Sequence, residues 1–525
     1  MLYQAANPSV RPDRRTPGIA EGAVVPSLPN NPDLESFRRQ ARDLQRAVRS
    51  GSSAAIGLVQ THHPGAGPAN PRSFPLRAAQ LVVARSYGFS SWPHLRHYLE
   101  VAAPLRRDPT APIDRGTPAG NESAADEVCR SVCLVYSDQD GPERWAHGMR
   151  LLRERPALGS QHIFAAAAVG DPHAIAAHLR GDPALAETQG GPHRWTPLMY
   201  LAYSRAGVGS PAQPWIDAVG CLLDTGADPN TGYLWQGLPS PFTVLTGLFG
   251  EGEQGPGRQP RHPHAQVLAR LLLARGANPN DGQALYNRMF RSDDSHLRLL
   301  FEFGLGRGDV GDWTRRLGEA LETPAQMLAR QLDWAIDHGF GERVTLLAAN
   351  GVDIRARRRD GRTPAERAAA TGDLDIVERL VAAGAARPVV TDEARLLFRL
   401  LRADGEPRPD PRTDPGPDPD PEPELLDGAR HRHPDLIHRA STERAVERVA
   451  RAGFDVDARR DGATALHNAA WSGNLPLIVS LLAAGANPGL LDDRFSSTAL
   501  GWAQHAYQGE ALALLTAATA HGGPG

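Results

Sequence analysis

The segment "DGATALHNAAWSGNLPLIVSLLAAGANP", Asp461 to Pro488, decides how the chain is read. It is mostly alanine, leucine and glycine, with one histidine, one tryptophan and no basic residue. Thr464, Gly473 and Gly485 stand where two short helices would start and stop. A threonine hydroxyl can accept from an orphan N–H of the first turn, and a glycine can take the left-handed conformation that closes a helix. Pro476 suits the first turn of a second helix, in which Ile478, Val479, Leu481 and Leu482 form one apolar face. Ala469 and Ala470 let the two helices approach closely, while the leucines demand a partner that one hairpin cannot supply.

Neighbouring copies are that partner. "DGRTPAERAAATGDLDIVERLVAAGA", Asp360 to Ala385, sets Thr363, Gly372 and Gly384 at the relative positions of Thr464, Gly473 and Gly485. Gly339 and Gly351 precede Gly372 and Gly384 by 33 residues each, and Val344 and Leu347 precede Val377 and Leu380 by the same interval. "TPLMYLA" from Thr196, "CLLDTGADPN" ending at Asn230 and "LARLLLARGANPN" ending at Asn280 are further copies with inserted material. These segments resemble ankyrin repeats, with their period of about 33 residues and helix-opening T-P-L-H-x-A motif. The resemblance is carried by Thr464-Ala465-Leu466-His467-Asn468-Ala469, Thr363-Pro364 and Thr196-Pro197-Leu198, and by the endings Gly226-Ala227-Asp228, Gly276-Ala277-Asn278 and Gly485-Ala486-Asn487. It covers residues 160–400 and 425–520 in about nine units, weaker ones opening near Gln161, Asp281, Ala325, Asp435 and Ser496. Ala465 departs from the usual proline, and the units opening at Thr196 and Ser240 carry Gly-, Pro- and His-rich insertions. The resemblance implies an all-α solenoid of helical hairpins, and it assigns His467 a structural hydrogen bond to neighbouring backbone.

Composition narrows the function. The net charge of −3 argues against a general polyanion binder. All 57 basic residues are arginine. Without lysine there is no P-loop, pyridoxal Schiff base or kinase strand lysine. Cys129, Cys133 and Cys221 are too few for a disulfide framework and match no zinc spacing, which favours a reducing compartment. The N-terminus lacks an apolar signal-peptide core, and no apolar run approaches a membrane span, so a cytoplasmic location in a bacterial-type cell is expected.

Along the chain, residues 1–32 read as a disordered tail and 33–102 as a small helical module of the kind that precedes ankyrin repeats in bacterial proteins. In that module Leu34, Phe37, Ala41, Leu44 and Val48 keep a helical 3-4 spacing; a flexible Gly/Pro/His stretch follows, then a helix stopped at Gly88 and another opened by Ser91. Residues 103–122 read as a linker and 123–404 as a helical lead-in, with helices expected over 124–136 and 143–155, followed by the array. Residues 405–424, alternating proline and acid, form a second linker before the C-terminal repeats at 425–525, which either continue the array or stand apart.

No motif carries catalysis, cofactor or metal. His431, His433 and His438 form no complete ligand set, and Cys129 and Cys133, one helical turn apart, read as core. Binding is the positive signal, since ankyrin arrays meet protein partners through finger-like turns and the concave helical face. The expected contacts are Tyr233, Leu234 and Trp235 as aromatic and aliphatic anchors, and Arg355, Arg357, Arg358, Arg359, Arg459 and Arg460 as grips on carboxylate or phosphate. The inserted Gly250 to Ala265 reads as a mobile loop. The expected function is non-enzymatic protein binding or scaffolding with an unidentified partner. The alternative is a nucleic-acid-linked transcriptional regulator using the N-terminal helical module, with its helix–glycine–helix at residues 79–100, and the arginine-rich fingers on phosphates, which the negative charge and Pro93 disfavour.

Overall fold

The computed structural model describes residues 28–65, 70–108, 123–402 and 422–521. Most of residues 1–32, 103–122 and 405–424 therefore lies outside the described residues. Their described ends are folded: Leu28 is buried, Asn31 donates its N–H to Gln236 O (2.8 Å), and a helix begins at Pro423. The chain forms two compact units. One comprises residues 1–252, 259–288 and 299–324, and the other residues 253–258, 289–298 and 325–525.

The first unit opens with the helix Leu34–Arg49, capped by Asp33, whose carboxylate accepts the Ser36 N–H at 2.9 Å. Phe37, Ala41, Leu44 and Val48 form its buried face, as their spacing predicts, and it packs on the helix Leu76–Ser86. The stretch between them is not simply flexible, because Ser53–His62 is a helix capped by Ser52. Ser91 caps the next helix, Trp92–Leu105, and Tyr98 donates its hydroxyl to Gly237 O (2.7 Å). This helix turns its Leu95, Tyr98, Leu99 and Ala102 face inward.

The fold is mostly helical, consistent with the expected all-α class, with a few short strands. Strand β1 (Arg106–Arg107), expected as linker, runs parallel to β2 (Gly232–Trp235), which pairs antiparallel with β3 (Pro241–Thr243). The register sets Arg106 against Leu234, Arg107 against Trp235 and Tyr233 against Phe242. The lead-in helices are Ala124–Val132, opened by a Ser123–Asp126 capping box, and Pro142–Glu154. The first stops short of the expected Tyr136 because Cys133 turns extended and Leu134 donates its N–H to Tyr203 O (2.8 Å). Helices Ile163–Val169, Pro197–Tyr203, Val244–Phe249 and Gly282–Arg288 then stack in series.

In the second unit the hairpins are more regular. Thr363 and Glu366 form a capping box at the start of Pro364–Ala370, and the hairpin returns through Leu374–Ala382. Thr464 caps Ala465–Ser472, and Gly473 closes it at φ +67°. The left-handed backbone favours glycine here, while the atom nearest an added Cβ, Gln508 Oε1, ends a flexible side chain that can move aside. Leu475–Ala483, Ala499–His505 and Gly509–His521 complete the series. One apolar core runs from Leu396, Leu397 and Leu400 through Ala429, Ile437 and Val446 to Ile478, Leu481 and Leu515. The helices on either side of residues 403–421 thus share a core.

Candidate partner-binding surface

The Arg-rich turn is built before it is charged. Asp353 accepts the N–H groups of Arg355 (2.8 Å) and Ala356 (2.9 Å), which holds its carboxyl below the ordinary range. Arg358 N donates to Arg362 O (2.8 Å), and Gly361, at φ +77°, donates to Arg358 O (2.9 Å). The five expected and neighbouring arginines then divide by role. Arg355 Nε donates to Gly384 O (3.0 Å), Arg357 Nη1 to Glu366 (2.9 Å) and Arg358 Nε to Asp333 (2.8 Å). All three have partners within the fold, but Arg355 and Arg357 remain exposed, and only Arg358 is partly buried. Arg359 and Arg362 are exposed and have no side-chain partner among the described residues.

The aromatic turn has the opposite fate, and the expectation for it is corrected. Tyr233, Leu234 and Trp235 are 2%, 0% and 1% exposed, so none can anchor a partner in this structure. Tyr233 lies stacked between Trp195 (centroids 5.4 Å) and Phe242 (5.5 Å), and Trp235 Nε1 reaches Val135 O at 3.4 Å. The insertion is long enough to form β2 and β3, and its β-prone aromatic residues bury themselves rather than project. The neighbouring core is polar as well as aromatic. Arg205, fully buried, donates to Pro260 O (2.7 Å), Ser204 O (2.8 Å) and Gly247 O (2.9 Å), and burial lowers its pKa to about 10. Gly250 to Ala265, expected as a mobile loop, is anchored at both ends. Glu251 N donates to Gln259 O (2.6 Å), His262 N donates to Leu248 O (2.9 Å), and the buried Glu251 carboxylate pairs with Arg288.

Arg459 and Arg460 form β4, which turns back through Asp461 (φ +51°) and Gly462 (φ +81°) into β5, Ala463–Thr464. Two consecutive positive φ angles make the tight turn that suits strand twist. Arg459 pairs with Asp493, and Arg460 Nε donates to Asp435 (2.6 Å). Both arginines therefore tie fingers together before any partner arrives. His467, buried, holds the same region from beneath: its ring contacts Thr464 Oγ1 (2.7 Å) and Ser497 O (3.0 Å).

The next finger contains the residues that sequence reading missed. Asp492 is 3% exposed and accepts from Arg494 N (2.8 Å), Phe495 N (2.7 Å), Ser497 N (2.9 Å) and Trp502 Nε1 (3.0 Å). Burial pushes its pKa up, but these donors outweigh burial and hold the carboxyl below the ordinary range. The same finger bonds to its neighbour through Asp493 N and Gly462 O (2.9 Å). On this fixed loop Phe495 and Leu491 are 51% and 50% exposed, and Arg494 is exposed without a side-chain partner among the described residues. Phe495 leads into a half-buried aromatic strip on the inner helices: Phe495 to Trp502 (6.2 Å), Trp502 to Trp471 (5.7 Å) and Trp471 to His505 (5.7 Å). The available signal was an aromatic residue in an Asp-Asp-Arg-Phe finger at the repeat spacing.

Other chemical groupings converge less. Ser90 Oγ, His94 and Glu319 meet, but hydroxyl and carboxylate both contact His94 Nδ1 (2.6 and 3.0 Å). A relay would need them on opposite ring nitrogens. Cys129 and Cys133 are buried, and desolvation raises the Cys133 thiol to about 12, so neither is a ready nucleophile. His431, His433 and His438 turn to Asp427 O, Glu393 and Ala458 O respectively. No helix among the described residues is long and apolar enough to cross a membrane.

With this geometry in place, comparison with known families gives one match: residues 461–493 fit the family described as Ankyrin repeat. No curated protein matches the chain. The match spans the finger hairpin, both helices of the opening segment and Asp492, and it supports an ankyrin-repeat protein.

Proposed function

We propose that this is a non-catalytic protein-binding or scaffolding protein that meets its partner through the fingers and inner helical face of the second unit. The observation that carries the reading is the finger of residues 490–498, where a buried carboxylate fixes the backbone while Phe495 and Leu491 stay half exposed. Apolar side chains held in this way bind with little ordering entropy, and a hot spot of this type is worth about 2 kcal/mol or more. Arg359, Arg362 and Arg494 supply charge that the fold has not used. Ankyrin repeats generally bind proteins, which supports a protein partner. The three cysteines, free among the described residues, suit a reducing cytoplasm.

The test is affinity capture from a bacterial lysate by wild type and by a variant combining Arg359→Ala, Arg362→Ala, Leu491→Ala and Phe495→Ala, with circular dichroism on both. Proteins retained by the wild type should fall at least tenfold with the folded variant. Equal retention of the same proteins removes the fingers from the interface. Capture of nucleic acid alone, released by salt, favours the nucleic-acid reading instead.

A further inference from the structure

The second unit already seats one short peptide segment on its aromatic strip. Residues 253–258 belong to this unit, and Gly255–Arg258 makes a single helical turn against the end of the helix Ala499–His505. The fit is close at glycine. A Cβ on Gly257 would stand 2.2 Å from Ala506 O, and one on Gly255 would touch Trp471 Nε1 at 3.7 Å and Arg291 Nη2 at 3.6 Å. Arg258 completes the seat. Its Nε donates to His505 O (2.7 Å), its Nη2 lies 3.3 Å from His505 Nδ1, and its guanidinium stands 5.2 Å from the Tyr507 ring centroid.

Each contact has a physical reason to choose arginine. The last carbonyls of a helix lack intrahelical partners and carry the negative end of its dipole, so a cationic donor suits them. The face of an aromatic ring attracts a guanidinium. Tyr507 takes the left-handed backbone (φ +58°), which a bulky residue seldom adopts, and in doing so sets its ring beside Arg258. His505 stacks on Trp471 at 19° between planes, which holds the seat's floor flat. The arrangement is a surface one: His505 is exposed, Tyr507 is 37% exposed and Arg258 is only partly buried.

We infer that Trp471, His505, Ala506 and Tyr507 form a recognition site for an arginine carried on a glycine-containing turn. Residues 253–258 occupy it in cis, and a protein partner presenting the same Gly-X-Gly-Arg chemistry binds there by displacing them. The inference deepens the proposed function and rests on the reading that the C-terminal repeats bind protein.

The experiment uses the full chain and a fluorescein-labelled peptide with the sequence of residues 252–260, Gly-Glu-Gln-Gly-Pro-Gly-Arg-Gln-Pro. Binding is read by anisotropy for wild type, Arg258→Ala, and Arg258→Ala combined with Tyr507→Gly, which keeps the left-handed backbone and removes the ring. A tethered occupant competes at an effective concentration in the ~mM range. Arg258→Ala should therefore bind the peptide at least ten times more tightly than wild type. Replacing the peptide's arginine by alanine, or adding Tyr507→Gly, should abolish that gain. Should Arg258→Ala misfold, Arg258→Lys, which loses the planar fork, takes its place with a smaller gain of the same sign. Equal binding by wild type and variant, or no binding by either, overturns the inference. The peptide reports this seat alone, whereas the capture experiment reports Phe495, Leu491 and the free arginines, so either can fail while the other stands.

Discussion

Two turns between helices behave differently. Residues 231–243 follow Gly226-Ala227-Asp228, and residues 353–362 precede Thr363-Pro364. The first becomes a pair of strands with Tyr233, Leu234 and Trp235 inside, whereas the second becomes a tight turn with Arg359 and Arg362 outside. The two turns are of similar length, and side-chain type decides the outcome. An aromatic turn gains by removing its rings from water, at roughly 25 cal/mol per Å² of apolar surface. An arginine turn can bury a guanidinium only beside a partner, as Arg358 does with Asp333. A turn's position between two helices therefore does not by itself make it a binding finger.

The contrast is most exposed to Trp235→Ala. Removing this buried ring from the sheet should destabilise the first unit by about 3–5 kcal/mol in chemical denaturation. A loss below about 1 kcal/mol would put the residue on the surface after all. Arg343→Ala should cost the second unit a similar amount, about 3–5 kcal/mol, because it strands the buried Asp294 that Arg343 Nε meets at 2.6 Å.

A pH titration sharpens the comparison. His193 and His262, both buried in the first unit, are held well below the ordinary histidine range, by burial first and by neighbouring arginines second. Such a histidine stays neutral when folded and takes a proton when unfolded. Its stabilising contribution is complete above the unfolded pKa of about 6.5 and is lost as pH falls below it. Each should add about 1.4 kcal/mol per pH unit to the acid slope below that point. His193→Phe, which keeps a ring beside Trp195, should remove one such increment from thermal melts between pH 6 and pH 5. An unchanged slope would mean that the ring is solvated.

Smaller effects belong to the repeat itself. Thr464→Ala removes the hydroxyl that accepts the His467 N–H and should cost about 1 kcal/mol. Arg359→Ala with Arg362→Ala should change stability by less than about 0.5 kcal/mol while weakening partner capture. A larger loss of stability would reveal fold contacts for those two arginines.

The repeat was legible because its signals are local and periodic. Thr363, Thr464 and Gly473 act where their side chains, or the lack of one, require. The sheet was not legible, because Arg106–Arg107 pairs in parallel with a strand more than a hundred residues later and two residues carry no alternation. The helix Ser53–His62 escaped notice because serine, alanine and glycine give it only a weak apolar stripe. In the candidate site, arginine content marked the turn at 355–362 but could not say which arginines the fold had committed. Phe495 is one aromatic in a polar loop, and its value depends on four donors converging on Asp492, an arrangement that appears only in three dimensions.

The most direct measurement places a photo-crosslinking benzoylphenylalanine at position 359, 495 or 479 of the full chain in cells of its native host. Val479 is the control: it is 52% exposed on the helix Leu475–Ala483, away from the fingers. Adducts to the same protein from positions 359 and 495, with none from 479, are expected. Adducts from 479 alone, or equally from all three positions, would contradict a finger-mediated interface.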